Sequence, residues 1–114
     1  MNNVLVTESI QFVADHYHSL PNFSEPRHGH NWQAEVTIRD TSSSTLNLIL
    51  EAWLKKIDYS LLNDLLDLKG RNPTAEVLAE YLFHFLENYG LFPIKVRIRE
   101  KPNFWASCSL QSGR

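Results

Sequence analysis

The chain has 114 residues, 43% of them hydrophobic, and a net charge of −2 from 11 basic and 13 acidic side chains. This balanced charge, without a long block of one sign, excludes a basic track for nucleic acid and a polybasic membrane patch. The longest apolar runs are far shorter than the ~18 to 20 residues that a membrane span needs, and the first residues lack a signal-peptide layout. With a single cysteine, Cys108, these features lead us to expect one cytoplasmic domain over residues 1–114.

The first third of the chain predicts a β-hairpin with a wide loop. Apolar and polar residues alternate over 4–18 and again over 28–40, which is the period of a half-buried strand. The connection over 20–27 contains two prolines together with asparagine and serine, all of which favour turns.

Helical periodicity follows in the middle of the chain. The first stripe comprises Leu46, Leu50, Trp53, Leu54, Ile57 and Leu61. We expect Asp58 and Ser60 to kink or re-cap this run before Leu65 and Leu68 continue it. A second stripe comprises Val77, Leu78, Tyr81, Leu82, Phe85 and Leu86. Asn72 is the predicted N-cap of this second helix, Pro73 lies in its first turn, and Gly90 ends it.

Two further alternating segments, 94–100 and 104–110, predict a second hairpin. The element order is therefore ββααββ. The predicted fold is α+β, a four-stranded antiparallel sheet with two helices on one face.

Four of the five histidines fall within residues 12–32. His28 and His30 share strand parity with apolar residues, and His16 has the same parity at the end of the first strand. In a hairpin these strand ends are neighbours, so we expect the three rings to meet. Three imidazoles with an open fourth position are typical of catalytic zinc. His18 is a rival third ligand, and the alternative for all of them is an ordinary strand-end histidine.

Several motifs then resemble one known family, that of 6-pyruvoyl tetrahydropterin synthase and 6-carboxytetrahydropterin synthase. They occur in family order and cover nearly the whole chain: FVADH at 12–16, HGHNW at 28–32, IDYSLLN at 57–63, NPTAEVLAEYL at 72–82, and the strand-ending Glu100. The resemblance implies the tunnelling fold (T-fold) and a homo-oligomer, usually a hexamer. It also implies a pterin substrate held by Glu100, with Thr74 and Glu76 near the pocket, and a zinc ion held by His16, His28 and His30.

The chain departs from the synthases of this family at the catalytic base. Their motif reads CxxxHGH, whereas this chain has Ser24 at the cysteine position and Glu25 three residues before His28. The resulting ExxHGH resembles a third paralogue group, which converts a dihydroneopterin species to 6-hydroxymethyl-7,8-dihydropterin in folate synthesis. Glu25 is then the candidate base, and the alternative is a charge on a loop.

A second departure affects the acid/base pair. The family has aspartate and histidine in LDH, and this chain has Asp58 and Tyr59. Tyrosine is a poor base near neutrality but a usable proton donor, so Tyr59 of the same or a neighbouring subunit is a candidate acid. The alternative is that Asp58 caps a helix and Tyr59 packs at an interface. The sequence thus leaves open a lyase, a synthase with unusual residues, or a pterin-binding protein without turnover.

Overall fold

The computed structural model describes residues 4–111 and contains the predicted order of long elements. Its strands and helices are β1 (Leu5–His16), β2 (Ser19–Leu20), β3 (Phe23–Ser24), β4 (His28–Arg39), α1 (Ser43–Ile57), β5 (Ser60–Leu61), α2 (Ala75–Asn88), β6 (Phe92–Lys101) and β7 (Phe104–Ser109). The ββααββ prediction is confirmed for the four long strands and the two helices. None of the described helices is long and apolar enough to span a membrane.

The main sheet has the strand order β5-β1-β4-β6-β7. The four long strands pair antiparallel, and β1 lies opposite β4 from the pair Leu5 and Arg39 to the pair His16 and His28. The predicted four-stranded sheet is therefore present, with a short addition. The two-residue strand β5 extends it by pairing parallel with Ala14 and Asp15 of β1.

The core lies between one face of the sheet and the two helices. Residues of even number in β1 and β4 point to this face, because side chains alternate along a strand. Phe12, for example, stacks on Trp32 with the ring centroids 5.9 Å apart, and meets the edge of Trp53 at 5.4 Å. The strand residues that are buried in this core are Phe12, Ala14, Trp32, Ala34, Val36, Ile38, Val96 and Ile98. His16, His28 and His30 continue the same parity beyond these residues.

The boundaries of the helices differ from the predicted ones. Thr74, not Asn72, is the N-cap of α2, and its hydroxyl accepts a hydrogen bond from the backbone N–H of Val77 at 3.2 Å. Helix α1 ends at Ile57, because Asp58 is extended and Tyr59 has a left-handed φ of 58°. The leucines after Tyr59 therefore do not continue the helix. They lie in β5, in two short 3₁₀ turns, Leu62–Asp64 and Leu66–Leu68, and, for Leu65, between these turns.

Candidate metal centre and adjoining pocket

The three predicted metal ligands converge at one end of the β1–β4 pair. One ring nitrogen from each of His16, His28 and His30 lies within 4.8 Å of the other two. His16 and His28 are register partners, and their Nε2 atoms are 3.1 Å apart. The hairpin thus brings together residues that are 12 positions apart in the chain.

The other ring nitrogens define the tautomers of two of these residues. Nδ1 of His16 lies 2.8 Å from the carbonyl oxygen of Pro73, and Nδ1 of His28 lies 3.0 Å from that of Pro26. A carbonyl only accepts, so both Nδ1 atoms carry the proton and donate it. Both Nε2 atoms are then lone-pair acceptors that face each other. Two nitrogens bound to one tetrahedral zinc at ~2.0 to 2.1 Å would lie about 3.4 Å apart, which is close to this arrangement.

His30 supplies the third nitrogen. Its Nε2 is buried and has no hydrogen-bond partner among the described residues. A buried polar atom without a partner requires an explanation, and a shared metal ion satisfies it. The residues present therefore fit a metal centre with three protein ligands, which is the number that a catalytic zinc site has.

Burial favours the form of these rings that binds metal. Burial lowers the pKa of His16 and of His30. The hydrogen bond from His16 to Pro73 and the carboxylate of Glu100 oppose this effect only in part. A metal binds only the neutral imidazole. A lowered pKa therefore reduces the free-energy cost of deprotonating these rings, compared with exposed histidines.

Glu100 connects the metal centre with a pocket. Its Oε2 lies 3.6 Å from Nε2 of His16. The pocket has a volume of about 240 Å³ and is lined by His18, Thr74, Ala75, Glu76, Glu100, Lys101 and Phe104. The structure thus brings the three predicted substrate-binding residues, Glu100, Thr74 and Glu76, to one place beside the histidines.

Glu25 lies beside His18 and His28, in the loop between β3 and β4. Its Oε1 accepts a hydrogen bond from the backbone N–H of His18 at 3.0 Å and lies 3.9 Å from Nδ1 of His28. The side chain is only 26% exposed. The carboxylate is therefore held beside the Nδ1 side of the His28 ring, away from the Nε2 atom that faces His16, and is largely shielded from bulk solvent.

Asp58 and Tyr59 are not brought to the triad within one chain. Oδ1 of Asp58 accepts the backbone N–H of Val13 at 2.9 Å, and its own N–H closes the end of α1. Tyr59 is 82% exposed and lines a different pocket, together with Gln11, Asn31 and Arg99. Asp58 is thus the C-cap of α1, which was the alternative to an acid/base role.

The two other histidines have different surroundings. His18 does not belong to the three-nitrogen cluster, although its ring centroid is 5.2 Å from that of His16. His84 is exposed on α2 and pairs with Glu87 at 2.8 Å.

Two asparagines hold the segment after β1, in a role that the sequence patterns did not predict for either of them. The side-chain amide of Asn63 accepts from the N–H of Tyr17 and donates to its carbonyl, both at 3.0 Å. Asn72 does the same with Ser19, at 2.8 and 3.3 Å. Each amide makes the two backbone hydrogen bonds that a neighbouring strand would otherwise make. The backbone on both sides of His18 is therefore fixed. Asn63 ends the IDYSLLN motif, which was its only signal in the sequence.

The family model described as 6-pyruvoyl tetrahydropterin synthase matches residues 5–111. The 6-pyruvoyl tetrahydropterin synthase of Caenorhabditis elegans has a similar structure, with a TM-score of 0.84 at 20% identity over 97% of this chain and 98% of that one. The Plasmodium falciparum enzyme has a TM-score of 0.73 at 15% identity over 93% and 96%. A Plasmodium vivax variant in which a catalytic glutamate is replaced by alanine has a TM-score of 0.75 at 14% identity over 95% and 98%. No curated protein matches the chain significantly by sequence.

Proposed function

We propose a reaction from one established premise, namely that the chain belongs to the 6-pyruvoyl tetrahydropterin synthase family, whose model matches residues 5–111. The proposed function is that of a zinc-dependent lyase. It cleaves the side chain of 7,8-dihydroneopterin, or of its phosphates, and forms 6-hydroxymethyl-7,8-dihydropterin in the folate pathway. The observation that carries this proposal is the carboxylate of Glu25 beside His28, in a chain that has Ser24 where the synthases have cysteine.

His16, His28 and His30 would hold the zinc ion. When bound, zinc supplies a Lewis acid that polarises the oxygens of the substrate side chain and lowers the cost of negative charge on them. The buried, unpaired Nε2 of His30 and the facing Nε2 atoms of the other two rings support this assignment.

Glu25 is the proposed base. A carboxylate within reach of the C2′ hydroxyl, directly or through one water, removes its proton. The C1′–C2′ bond then breaks, its electron pair moves into the C6=N5 unit of the dihydropterin, and C2′ leaves as a two-carbon aldehyde. A proton added to C1′ completes the product. The Plasmodium vivax protein, which shares this fold, has a glutamate that is a catalytic residue, and this supports a catalytic carboxylate here.

Glu100 is the proposed anchor of the pterin ring. Its two oxygens accept from the paired N–H donors of the pterin amide and amino edge. Thr74 and Glu76 lie in the same pocket, at the start of α2. The 3.6 Å between Glu100 and His16 would place a ring bound here next to the metal centre.

We also propose that a neighbouring subunit of a cytoplasmic homo-oligomer, a hexamer by family resemblance, supplies the proton donor Tyr59. Tyr59 is exposed and lines a separate pocket in its own chain, so it would have to reach the metal centre of another copy. Asp58 holds the turn that presents it.

The test is a product assay by mass spectrometry. Zinc-loaded protein is incubated with 7,8-dihydroneopterin and, separately, with its triphosphate. Hydroxymethyl-dihydropterin is expected from the wild type, and Glu25→Gln is expected to reduce its rate by at least about a hundredfold, as for the loss of a general base. Glu87→Gln, on the exposed surface of α2, is the matched control. A Glu25→Gln variant with the wild-type rate contradicts the proposed base.

The placement of Asp58 and Tyr59 away from the triad favours one second candidate, a pterin-binding protein without turnover. Tight binding of dihydropterins that remain intact after long incubation would support it. A pyruvoyl or carboxy product would instead indicate a synthase with unusual acid/base residues.

A further inference from the structure

We propose that His18 recognises the substrate side chain by accepting a hydrogen bond from one of its hydroxyl groups. This inference rests on the proposed function, because it assumes a pterin with a hydroxylated side chain. His18 would then be a specificity-determining residue. The proposed metal ligands are still His16, His28 and His30.

Glu25 holds His18 by its backbone and faces its ring. The N–H of Glu25 donates to the carbonyl of His18 at 3.2 Å, and the N–H of His18 donates to Oε1 of Glu25 at 3.0 Å. Nδ1 of the His18 ring lies 3.5 Å from the same Oε1. A carboxylate only accepts, so this neighbour favours the tautomer with the proton on Nδ1.

In that tautomer Nε2 of His18 is a hydrogen-bond acceptor. It is buried, and no partner for it exists among the described residues. A buried polar atom without a partner is unfavourable, and the His18 ring lines the pocket that contains Glu100 and Thr74. A hydroxyl donor on a ligand in that pocket is the chemical complement of this nitrogen.

The backbone that carries the ring is held before a ligand binds. Asn63 clamps the backbone of Tyr17, and Asn72 clamps that of Ser19, so both neighbours of His18 are immobilised. A preorganised acceptor costs less to order on binding than a mobile one. This clamping is what makes a single hydrogen bond a selective contact.

Binding of two ligands separates the contribution of His18 from that of the pterin ring. Neopterin carries a trihydroxypropyl side chain, and unsubstituted pterin carries none. Affinities are measured by fluorescence titration with zinc-loaded and with zinc-stripped protein. Wild type is expected to prefer neopterin. His18→Phe should weaken neopterin binding about tenfold, the equivalent of ~1.4 kcal/mol, and leave pterin binding unchanged.

Two further variants sharpen the comparison. His18→Gln places an amide group where an acceptor is needed and should retain part of the preference. His84→Phe, at an exposed histidine on α2, should behave as wild type. His18→Leu replaces His18→Phe if the larger ring prevents folding, and unchanged pterin affinity is itself the evidence that the pocket is intact.

An unchanged ratio of neopterin to pterin affinity in His18→Phe overturns the inference. So does a wild type without any preference for neopterin, or an effect that disappears when zinc is removed, which would assign it to the metal centre. The proposed reaction is judged separately by the product assay. A protein that cleaves dihydroneopterin with an unchanged ratio refutes the role of His18 alone, and a selective binder without turnover refutes the reaction alone.

Discussion

Asp15 and Gly29 face each other across the β1–β4 pair, and a Cβ placed on Gly29 would lie 2.6 Å from Oδ1 of Asp15. The second carboxylate oxygen accepts from Nε of Arg27 at 2.7 Å. The glycine of the HGH motif therefore leaves room for a carboxylate on the face of the sheet opposite the two histidines. This carboxylate joins β1 to the loop that carries Glu25.

Gly29→Ala is expected to lower the free energy of unfolding by about 1 to 2 kcal/mol, in the range of ordinary steric substitutions. Asp15 is the only side chain that the new Cβ meets among the described residues. The double variant Asp15→Ala/Gly29→Ala should therefore lose less stability than the sum of the single variants. Urea denaturation measures all three, and strictly additive losses would contradict the proposed contact.

Asn63→Ala is expected to cost about 1 to 3 kcal/mol, because it removes two hydrogen bonds at a partly buried backbone. It should also weaken zinc binding by about tenfold, as outer-shell changes do, since it loosens the segment that follows His16. Asn63→Asp keeps the acceptor and should retain part of both properties. Asn88→Ala, exposed at the end of α2, is the control. Unchanged zinc affinity in Asn63→Ala would separate the clamp from the metal centre.

Strand periodicity, together with the pairing of one hairpin, was sufficient to predict that the three histidines meet. Every second residue of a strand points to the same face of the sheet. His16, His28 and His30 therefore project from the core-facing side, at the same end of the paired strands. The core followed from the same alternation. These features are local in sequence or need only one hairpin, which explains their success.

The features that the sequence did not predict depend on contacts between distant segments. Asn72 has the chemistry of an N-cap, but its amide bonds Ser19, 53 residues away, and Thr74 caps the helix instead. Strand β5 exists because the left-handed turn at Tyr59 places Ser60 beside Ala14. No local pattern distinguishes these outcomes from an ordinary cap or a continued helix.

Removal of one triad ligand should abolish tight metal binding. His30→Ala is expected to weaken Zn²⁺ binding by more than about a hundredfold, since even outer-shell changes cost about 10- to 100-fold. Competition with a chromogenic chelator measures the affinity, and Co²⁺ absorption reports four-coordinate geometry. His84→Ala is the matched histidine control. Equal zinc affinity in His30→Ala and wild type would exclude the three-histidine site.

A hydrogen bond on the helical surface predicts a pH dependence of stability. Tyr81 donates to Oδ2 of Asp67 at 2.7 Å, and this bond, with help from Lys56, lowers the pKa of Asp67 below its usual 3.8. A carboxylate whose pKa is lowered in the folded state stabilises it above about pH 4 and loses this contribution as the pH falls. Asp67 is 52% exposed, so the effect should stay below about 1 kcal/mol.

Tyr81→Phe should therefore lose less stability than wild type between about pH 5 and pH 3, as measured by urea denaturation at each pH. Tyr89→Phe, at an exposed tyrosine directly after the end of α2, is the control. Identical slopes for Tyr81→Phe and wild type would show that the bond does not act in solution.

The separation of Tyr59 from the metal centre predicts complementation between subunits. Tyr59 lines a pocket on another part of its own chain, whereas Glu25 lies beside His28. If one active site takes Glu25 from one copy and Tyr59 from another, Glu25→Gln and Tyr59→Phe are each inactive alone. Mixed oligomers formed by joint refolding should recover about a quarter of the wild-type sites, since a site between different patches of two copies is intact when each copy supplies its unaltered residue.

The double variant mixed with wild type at the same ratio is the control for assembly. If the two single variants remain inactive after mixing while the control oligomers form, Tyr59 and Glu25 do not act in a shared site. A Tyr59→Phe variant with the wild-type rate would remove Tyr59 from the reaction altogether.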